Sequence, residues 1–233
     1  MSRRMGLLGG KSRVPIGTVW YFTASDSFVV PETGTYSIVA VGGGGGGAGG
    51  YGSKLDNGTA YSGGGGGGGS SGCVITVSSY LAAGASYTIT VGSGGAGGKS
   101  NQYGNNGKNG TASSFGNVVT SNGGKYGRKP SRYPDGGLGG GKAGTGSTAG
   151  RSGEDGSSSY ITYSRISGGS GGFGGSGYNT SVTGSSKKFG SGGDGGSGAD
   201  FEAGQTGETK GEAGSKGTDG IVILTLESYV QTA

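Results

Sequence analysis

The chain has 233 residues, and 66 of them are glycine, about four times the ordinary share. It has no histidine and one cysteine, Cys73, which excludes Ser-His-Asp and Cys-His catalysis, most zinc sites and any internal disulfide. The net charge of +5 is modest for this length and does not by itself imply a nucleic-acid partner.

Residues 1–16, MSRRMGLLGGKSRVPI, are basic and non-periodic. The apolar stretch MGLL is too short for the core of a signal peptide. Nowhere do roughly 18 apolar residues run together, so no membrane insertion is expected. The expectation is a protein made in the cytoplasm without export. The segment 1–16 reads as an attachment segment, and 17–233 as one glycine-rich domain.

Strand-like alternation begins at VWYFTA (19–24) and SFVVP (27–31). TYSIVAV (35–41) puts Tyr36, Ile38 and Ala40 on one face. CVITV (73–77) and SYTITV (86–91) follow, with Tyr87, Ile89 and Val91 opposing Thr88 and Thr90. SYITYSRI (159–166) reads as a further strand. IVILTLES (221–228) is apolar on both faces at Ile221–Leu224, the pattern of a central strand. No window keeps a helical apolar period. The expected fold class is all-β: a jelly-roll-like sandwich to which both chain ends contribute strands. Cys73 fits this framework as a small buried hydrophobe.

Between the strands, glycine recurs in threes. Residues 42–50 and 63–69 are glycine throughout, apart from Ala48. GGAGG (94–98), GGSGGFGGSG (168–177) and GGDGGSG (192–198) follow a G-G-x pattern. GNNGKNG (104–110), GRSGEDG (150–156) and GEAGSKGTDG (211–220) follow G-x-x. Polyproline II has three residues per turn and a rise of about 3.1 Å, and all its backbone polar groups point outward. Without Cβ atoms such helices can pack closely and bond to one another. Ordering each residue costs roughly 1–2 kcal/mol and a net hydrogen bond returns about 0.5–1.5, so only a helix bonded on several sides holds. The three patterns are then expected to mark depth: G-x-x outermost, G-G-x further in, all-glycine surrounded. A collagen helix is excluded because Lys210 breaks the triplets and no proline lies in that segment. A flexible linker is the competing reading.

Several motifs fail. GLLGGKS (6–12) and VGSGGAGGKS (91–100) resemble phosphate loops but carry Met5 and Ser93 where the first glycine belongs. GGSGADF (195–201) matches part of a calcium-binding repeat that needs tandem copies. Glu154 and Asp155 read as a solvated loop. No catalytic constellation, cofactor site or metal site is expected. KYGRKPSRYPDGG (125–137) reads as a loop joining two glycine helices, with Lys125, Arg128, Lys129 and Arg132 beside Tyr126 and Tyr133. Guanidinium groups and aromatic rings suit phosphates and sugar faces. Lys187, Lys188 and Phe189 form a smaller version. The alternative for both is solubilising charge, with tyrosines closing the lattice ends. The basic stripe is too narrow for nucleic acid.

VWYF…SFVVPETGTYSIVAVGGGGGGAGG, SGCVITVSSYLAAGASYTITVGSGGAGG and GIVILTLES together resemble the glycine-rich domain of bacteriophage tail fibres and tail-tip adhesins. VPETGTYSI leading into glycine is similar, more distantly, to the glycine-rich region of anaplastic lymphoma kinase receptors. The first resemblance implies sandwich strands fused to polyglycine II helices at the tip of a virion fibre, with no enzymatic activity. It also implies a homo-oligomer, most often a trimer, that touches a host polysaccharide or outer-membrane protein through variable loops. On that reading Lys125, Tyr126, Arg128, Lys129, Arg132, Tyr133, Lys187, Lys188 and Phe189 are candidate receptor contacts. Arg3, Arg4, Lys11 and Arg13 would pair with other virion proteins. The alternatives are a structural decoration or collar protein of the virion and a secreted glycine-helix binding protein.

Overall fold

The alternating segments form antiparallel sheets, and the glycine runs between them form a bundle. The computed structural model describes residues 13–132, 135–137, 139–141, 146–151, 154, 158–160, 165–202, 204–205 and 207–230. The strands are β1 (Val19–Phe22), β2 (Asp26–Val29), β3 (Gly34–Val41), β4 (Lys54–Asp56), β5 (Thr59–Tyr61), β6 (Val74–Leu81), β7 (Ser86–Thr90), β8 (Ser113–Phe115), β9 (Val119–Ser121), β10 (Ser158–Tyr160), β11 (Arg165–Ile166), β12 (Tyr178–Thr180), β13 (Lys187–Phe189), β14 (Phe201–Glu202) and β15 (Ile221–Tyr229). Among the described residues no α-helix is present.

One four-stranded sheet has the order β1-β15-β3-β6, the other β2-β7-β8-β9. β15 is central, as its two apolar faces require, and pairs Leu224 with Ile38 on one side and with Trp20 on the other. The alternating residues Tyr36, Ile38 and Ala40 are fully buried between the sheets with Ile89, Phe115 and Leu224. Phe28 meets Trp20 edge-on at 5.4 Å, and Tyr87 stacks on Phe115 at 4.6 Å. Each such ring pair adds about 0.5–1.5 kcal/mol beyond area burial. The segment 159–166 is not one strand: Ser158–Tyr160 pairs with β5, and Arg165–Ile166 with β14.

Among the described residues the glycine runs make ten extended segments: I (42–53), II (62–73), III (92–100), IV (104–112), V (122–130), VI (136–137 and 139–141), VII (147–151 and 154), VIII (167–177), IX (190–200) and X (208–220). Helix I leaves β3 directly at Gly42, helix II feeds β6 and helix X feeds β15. The bonding of helix I has period three. The N–H groups of Gly42, Gly45, Ala48 and Tyr51 donate to helix II at 2.9–3.1 Å. Those of Gly43, Gly46 and Gly49 donate to Thr111, Lys108 and Asn105 of helix IV, and those of Gly44, Gly47 and Gly50 to Thr218, Ser215 and Glu212 of helix X. Its carbonyls accept from helices III, V and IX. Helix II is likewise surrounded: it donates to V, VII and IX and accepts from I, VI and VIII. Two adjacent points of a hexagonal lattice share two neighbours, here V and IX. Helices III to X therefore close a ring around the central pair, and they do so in chain order.

The all-glycine patterns mark the surrounded helices, as expected. The other two patterns do not mark depth. Threefold symmetry aims N–H groups at three alternate neighbours and Cβ positions at the other three. Helices III, IV, VI, VII, VIII and X each have three neighbours within the bundle. In helix IV a Cβ at Gly107 or Gly110 would strike only the middle neighbour, at Gly46 O and Gly43 O, so one glycine per turn suffices. In helix III the N–H groups of Gly95 and Gly98 take the middle neighbour. Cβ atoms at Gly94 and Gly95 would then strike both flanking helices, at Gly217 O and Lys108 O. Rotation about the helix axis, not depth, separates G-x-x from G-G-x.

Candidate functional site

The bundle has two ends. At one, helices I, II, III, IV, V and X join the sandwich strands; at the other lie β4–β5, the turn at 101–103 and the β11–β14 pair. The β4–β5 hairpin turns through Asn57 and Gly58, both at positive φ (45° and 78°), the Asn-Gly signature of a tight hairpin. Asp-Asn-Gly at 56–58 carries that signal in the sequence. Tyr51 and Tyr103 meet edge-on at 5.8 Å at this distal end.

The far pole of the sandwich carries both described ends of the chain. The Tyr229 hydroxyl donates to Val14 O, the Gly17 N–H donates to Leu226 O, and the Arg13 guanidinium lies 5.0 Å above the Tyr229 ring. Arg13 lines a depression of about 260 Å³ with Glu32, Tyr80 and Val230. Arg3, Arg4 and Lys11 lie outside the described residues.

The 125–137 segment is not a loop. Residues 122–130 are helix V, with Gly124 and Gly127 buried against helices I and II. The chain bends at Ser131 and Arg132, and Arg132 pairs with Asp135 at 2.8 Å. Tyr133 lies outside the described residues. Lys125, Arg128 and Lys129 point outward and are exposed, and Tyr126 is half-buried. Helix V touches four neighbours, so it should read G-G-x. Tyr126 and Lys129 stand where the second glycine belongs, one and two turns beyond Gly123. They wedge helices IV and V apart. The bond from Gly110 N–H to Gly124 O is 2.9 Å, and the next, from Gly107 to Gly127, is 3.2 Å. Two side chains cover the opened seam. Asn109 Oδ1 accepts the Tyr126 N–H at 3.0 Å, and Asn106 Oδ1 accepts the Lys129 N–H at 2.9 Å.

This seam gathers cations from three helices. Lys99, Lys108 and Lys129 line a depression of about 510 Å³ with Asn105 and Asn106. Lys125, Tyr126 and Arg128 line a second one of about 260 Å³ with Asn109 of helix IV and with Gly139, Gly140 and Gly141 of helix VI. The sequence-derived set missed Lys99, Lys108 and the asparagines, because they lie on separate triplets and meet only through the ring order. Lys187, Lys188 and Phe189 belong to β13, at the sandwich end of the bundle, and do not join this seam. They line a depression of about 280 Å³ with Lys216 and Asp219.

Side-chain oxygens elsewhere replace missing lattice carbonyls. Asp219 accepts the Gly94 N–H at 2.7 Å, Asp200 that of Gly168 at 2.8 Å and Asp194 that of Gly174 at 2.6 Å. The Gly94 N–H, helped by Lys216, holds the Asp219 carboxyl below the usual carboxylate range. The Gly168 N–H and then Arg165 do the same for Asp200. Among the described residues no three metal-ligating side chains come together. Among the same residues no helix is long and apolar enough to cross a membrane.

The sequence model of a family described as a glycine-rich domain matches residues 23–227. The chain belongs to this glycine-rich domain family. Comparison with curated proteins gives no match. The matched span of the glycine-rich domain takes in the whole bundle and most of the sandwich, from the residue after β1 to within two residues of the end of β15.

Proposed function

We propose that this glycine-rich domain is a structural component of a bacteriophage virion, part of a tail fibre or tail tip, that attaches the particle to the host cell surface. The observation carrying this reading is the polarity of the molecule. The described chain ends sit together at the far pole of the sandwich, and the β4–β5 hairpin, the turn at 101–103 and the β11–β14 pair lie at the opposite end of a cross-bonded bundle. A protein that holds a particle at one end and a cell at the other needs that arrangement. At a rise of about 3.1 Å per residue, a twelve-residue glycine helix carries its tip roughly 37 Å from the sandwich.

In this reading residues 1–16, with Arg3, Arg4, Lys11 and Arg13, meet other virion proteins. The domain works as a homo-oligomer, a trimer by family resemblance, assembled in the host cytoplasm. Its ligand is a host polysaccharide or outer-membrane protein, and the protein has no catalytic role. The test is an antibody to the purified domain applied to intact particles, together with an adsorption assay. Labelling confined to the distal tail, with adsorption blocked by the purified domain, supports the proposal. Uniform labelling of the head or collar with unchanged adsorption refutes it.

A further inference from the structure

The lateral face formed by helices III, IV, V and VI carries five exposed cations, Lys99, Lys108, Lys125, Arg128 and Lys129. No acidic side chain lines either depression along it. Among the described residues the ion pairs are Lys54–Asp56, Arg132–Asp135, Arg165–Asp200 and Lys216–Asp219, so none of the five is neutralised. Unscreened like charges gathered on one face cost stability through self-repulsion, and a polyanion would relieve that cost.

The spacing of the charges is fixed by the lattice. Lys125 and Arg128 are one threefold turn apart, roughly 9 Å along the axis. Tyr126 and Lys129 repeat that interval on the adjoining row. Gly124 and Gly127 hold helix V against the central pair, and Asn106 and Asn109 clamp its outer row. The cations are therefore mounted on a rigid rod, and little ordering entropy is lost along the backbone when a ligand binds. The exposed Asn105 amide can bond sugar hydroxyls, and the half-buried Tyr126 offers a ring face. A single ring gives no run of stacking platforms for successive bases, which sequence-tolerant binding of single-stranded nucleic acid requires.

We propose that this lateral face is a binding groove for an acidic polysaccharide. Its carboxylate groups recur along a linear chain and pair with the lysine and arginine rows. The inference rests on the surface-attachment reading and names the ligand class and the face that reads it.

The test uses the full chain and three probes: alginate as a polyuronate, dextran as a neutral polysaccharide, and a thymidine oligonucleotide. Binding is followed by calorimetry at low and physiological salt, together with thermal melting of every variant. Alginate is expected to bind, dextran not, and salt to weaken binding. Lys108→Glu combined with Lys129→Glu is expected to weaken alginate roughly tenfold or more without lowering the melting temperature. Arg151→Glu combined with Lys210→Glu, on helices VII and X, makes the same change in net charge and should leave alginate affinity as it was. Three results overturn the proposal: alginate held no tighter than dextran, seam variants binding like the parent, or the oligonucleotide bound more tightly than alginate. Blocked phage adsorption without alginate binding would remove this inference and leave the attachment reading standing.

Discussion

Gly45→Ala adds one methyl group at the centre of the bundle. Its Cβ would lie 2.1 Å from Lys125 O and 2.4 Å from Lys125 C, where ordinary contact begins at 3.4 Å. Helices I and V must then part by more than 1 Å at this point. The bonds that join them, from Gly124 to Gly43 O at 2.7 Å and from Gly127 to Gly46 O at 2.9 Å, stretch beyond useful length. A buried polar group left unpaired costs about 1–3 kcal/mol, so losing these two bonds should cost the variant roughly 2–6 kcal/mol, a large part of the 5–15 kcal/mol that holds a domain folded. Urea unfolding followed by Trp20 fluorescence measures the loss. Gly141→Ala is the control, since no heavy atom lies within 4 Å of its Cβ position; it should be neutral or gain about 0.4–1 kcal/mol. The same face of helix I carries Gly42, Gly45, Ala48 and Tyr51 in succession, so the gap to helix V widens toward the tip. Ala48→Gly should therefore cost only about 1–2 kcal/mol, from one lost methyl and added chain freedom. A Gly45→Ala variant within about 0.5 kcal/mol of the parent would refute the reasoning, because surface changes fall in that range.

Asp200 and Asp219 have native pKa values below the unfolded value of about 3.9. The unfolded chain therefore binds more protons in this range, and stability rises with pH. Their contribution is complete above about pH 4 and fades as pH falls through the lower native values. Asp219→Asn, which keeps an oxygen for Gly94, should show a shallower acid limb in urea midpoints taken from neutral pH downward; an unchanged limb would rule the contribution out. Asn109→Ala should leave the Tyr126 N–H to solvent, raise its hydrogen-exchange rate and cost about 0.5–1.5 kcal/mol; an unchanged exchange rate would mean the side chain does not seal the seam. Cys73 is 2% exposed and burial pushes its thiol pKa up, so alkylation in native buffer should be slow and should accelerate with urea along the unfolding curve. Rapid stoichiometric labelling of the folded chain would contradict that burial.

The sheets were legible because side-chain alternation is a local signal. Tyr36, Ile38 and Ala40 could be assigned to one face without knowing their partners. Ile221–Leu224 announced a central strand by being apolar on both faces, and the all-glycine composition of 42–50 announced complete enclosure. What could not be read is whatever depends on rotation or ring order. Nothing local distinguishes a helix whose Cβ atoms face one neighbour from a helix whose Cβ atoms face two, so G-x-x and G-G-x were assigned to depth. Nothing local tells that Lys99, Lys108 and Lys129 converge. Helix V misled for a specific reason: Tyr126 and Lys129 replace glycines at the seam with helix IV, and the triplet pattern breaks where the chain remains helical. Ser158–Tyr160 and Arg165–Ile166 misled because two short strands with different partners read as one.

The ring order also constrains how the chain can fold. Helices I and II are made first and lie at the centre, yet each needs six neighbours, and helices V to X arrive only with the second half of the sequence. The central pair alone joins four pairs of backbone groups, from Gly42, Gly45, Ala48 and Tyr51, against an ordering cost of roughly 1–2 kcal/mol for every residue in two runs. It cannot persist by itself. The sandwich can form without the lattice, because β3 and β6 pair over eight residues from Gly34–Leu81 to Val41–Val74 and bury an apolar face. That pairing fixes the bases of helices I and II side by side, since they begin and end at Gly42 and Cys73. Each later strand of the sandwich likewise anchors the base of the glycine helix next to it. β15, the last strand, inserts between β1 and β3 and delivers helix X to close the ring against helices III and IX. Assembly is then bound to be cooperative and slow, as expected for contacts this distant in sequence. A chain cut before β15 should lose the bundle entirely, not merely its tenth helix.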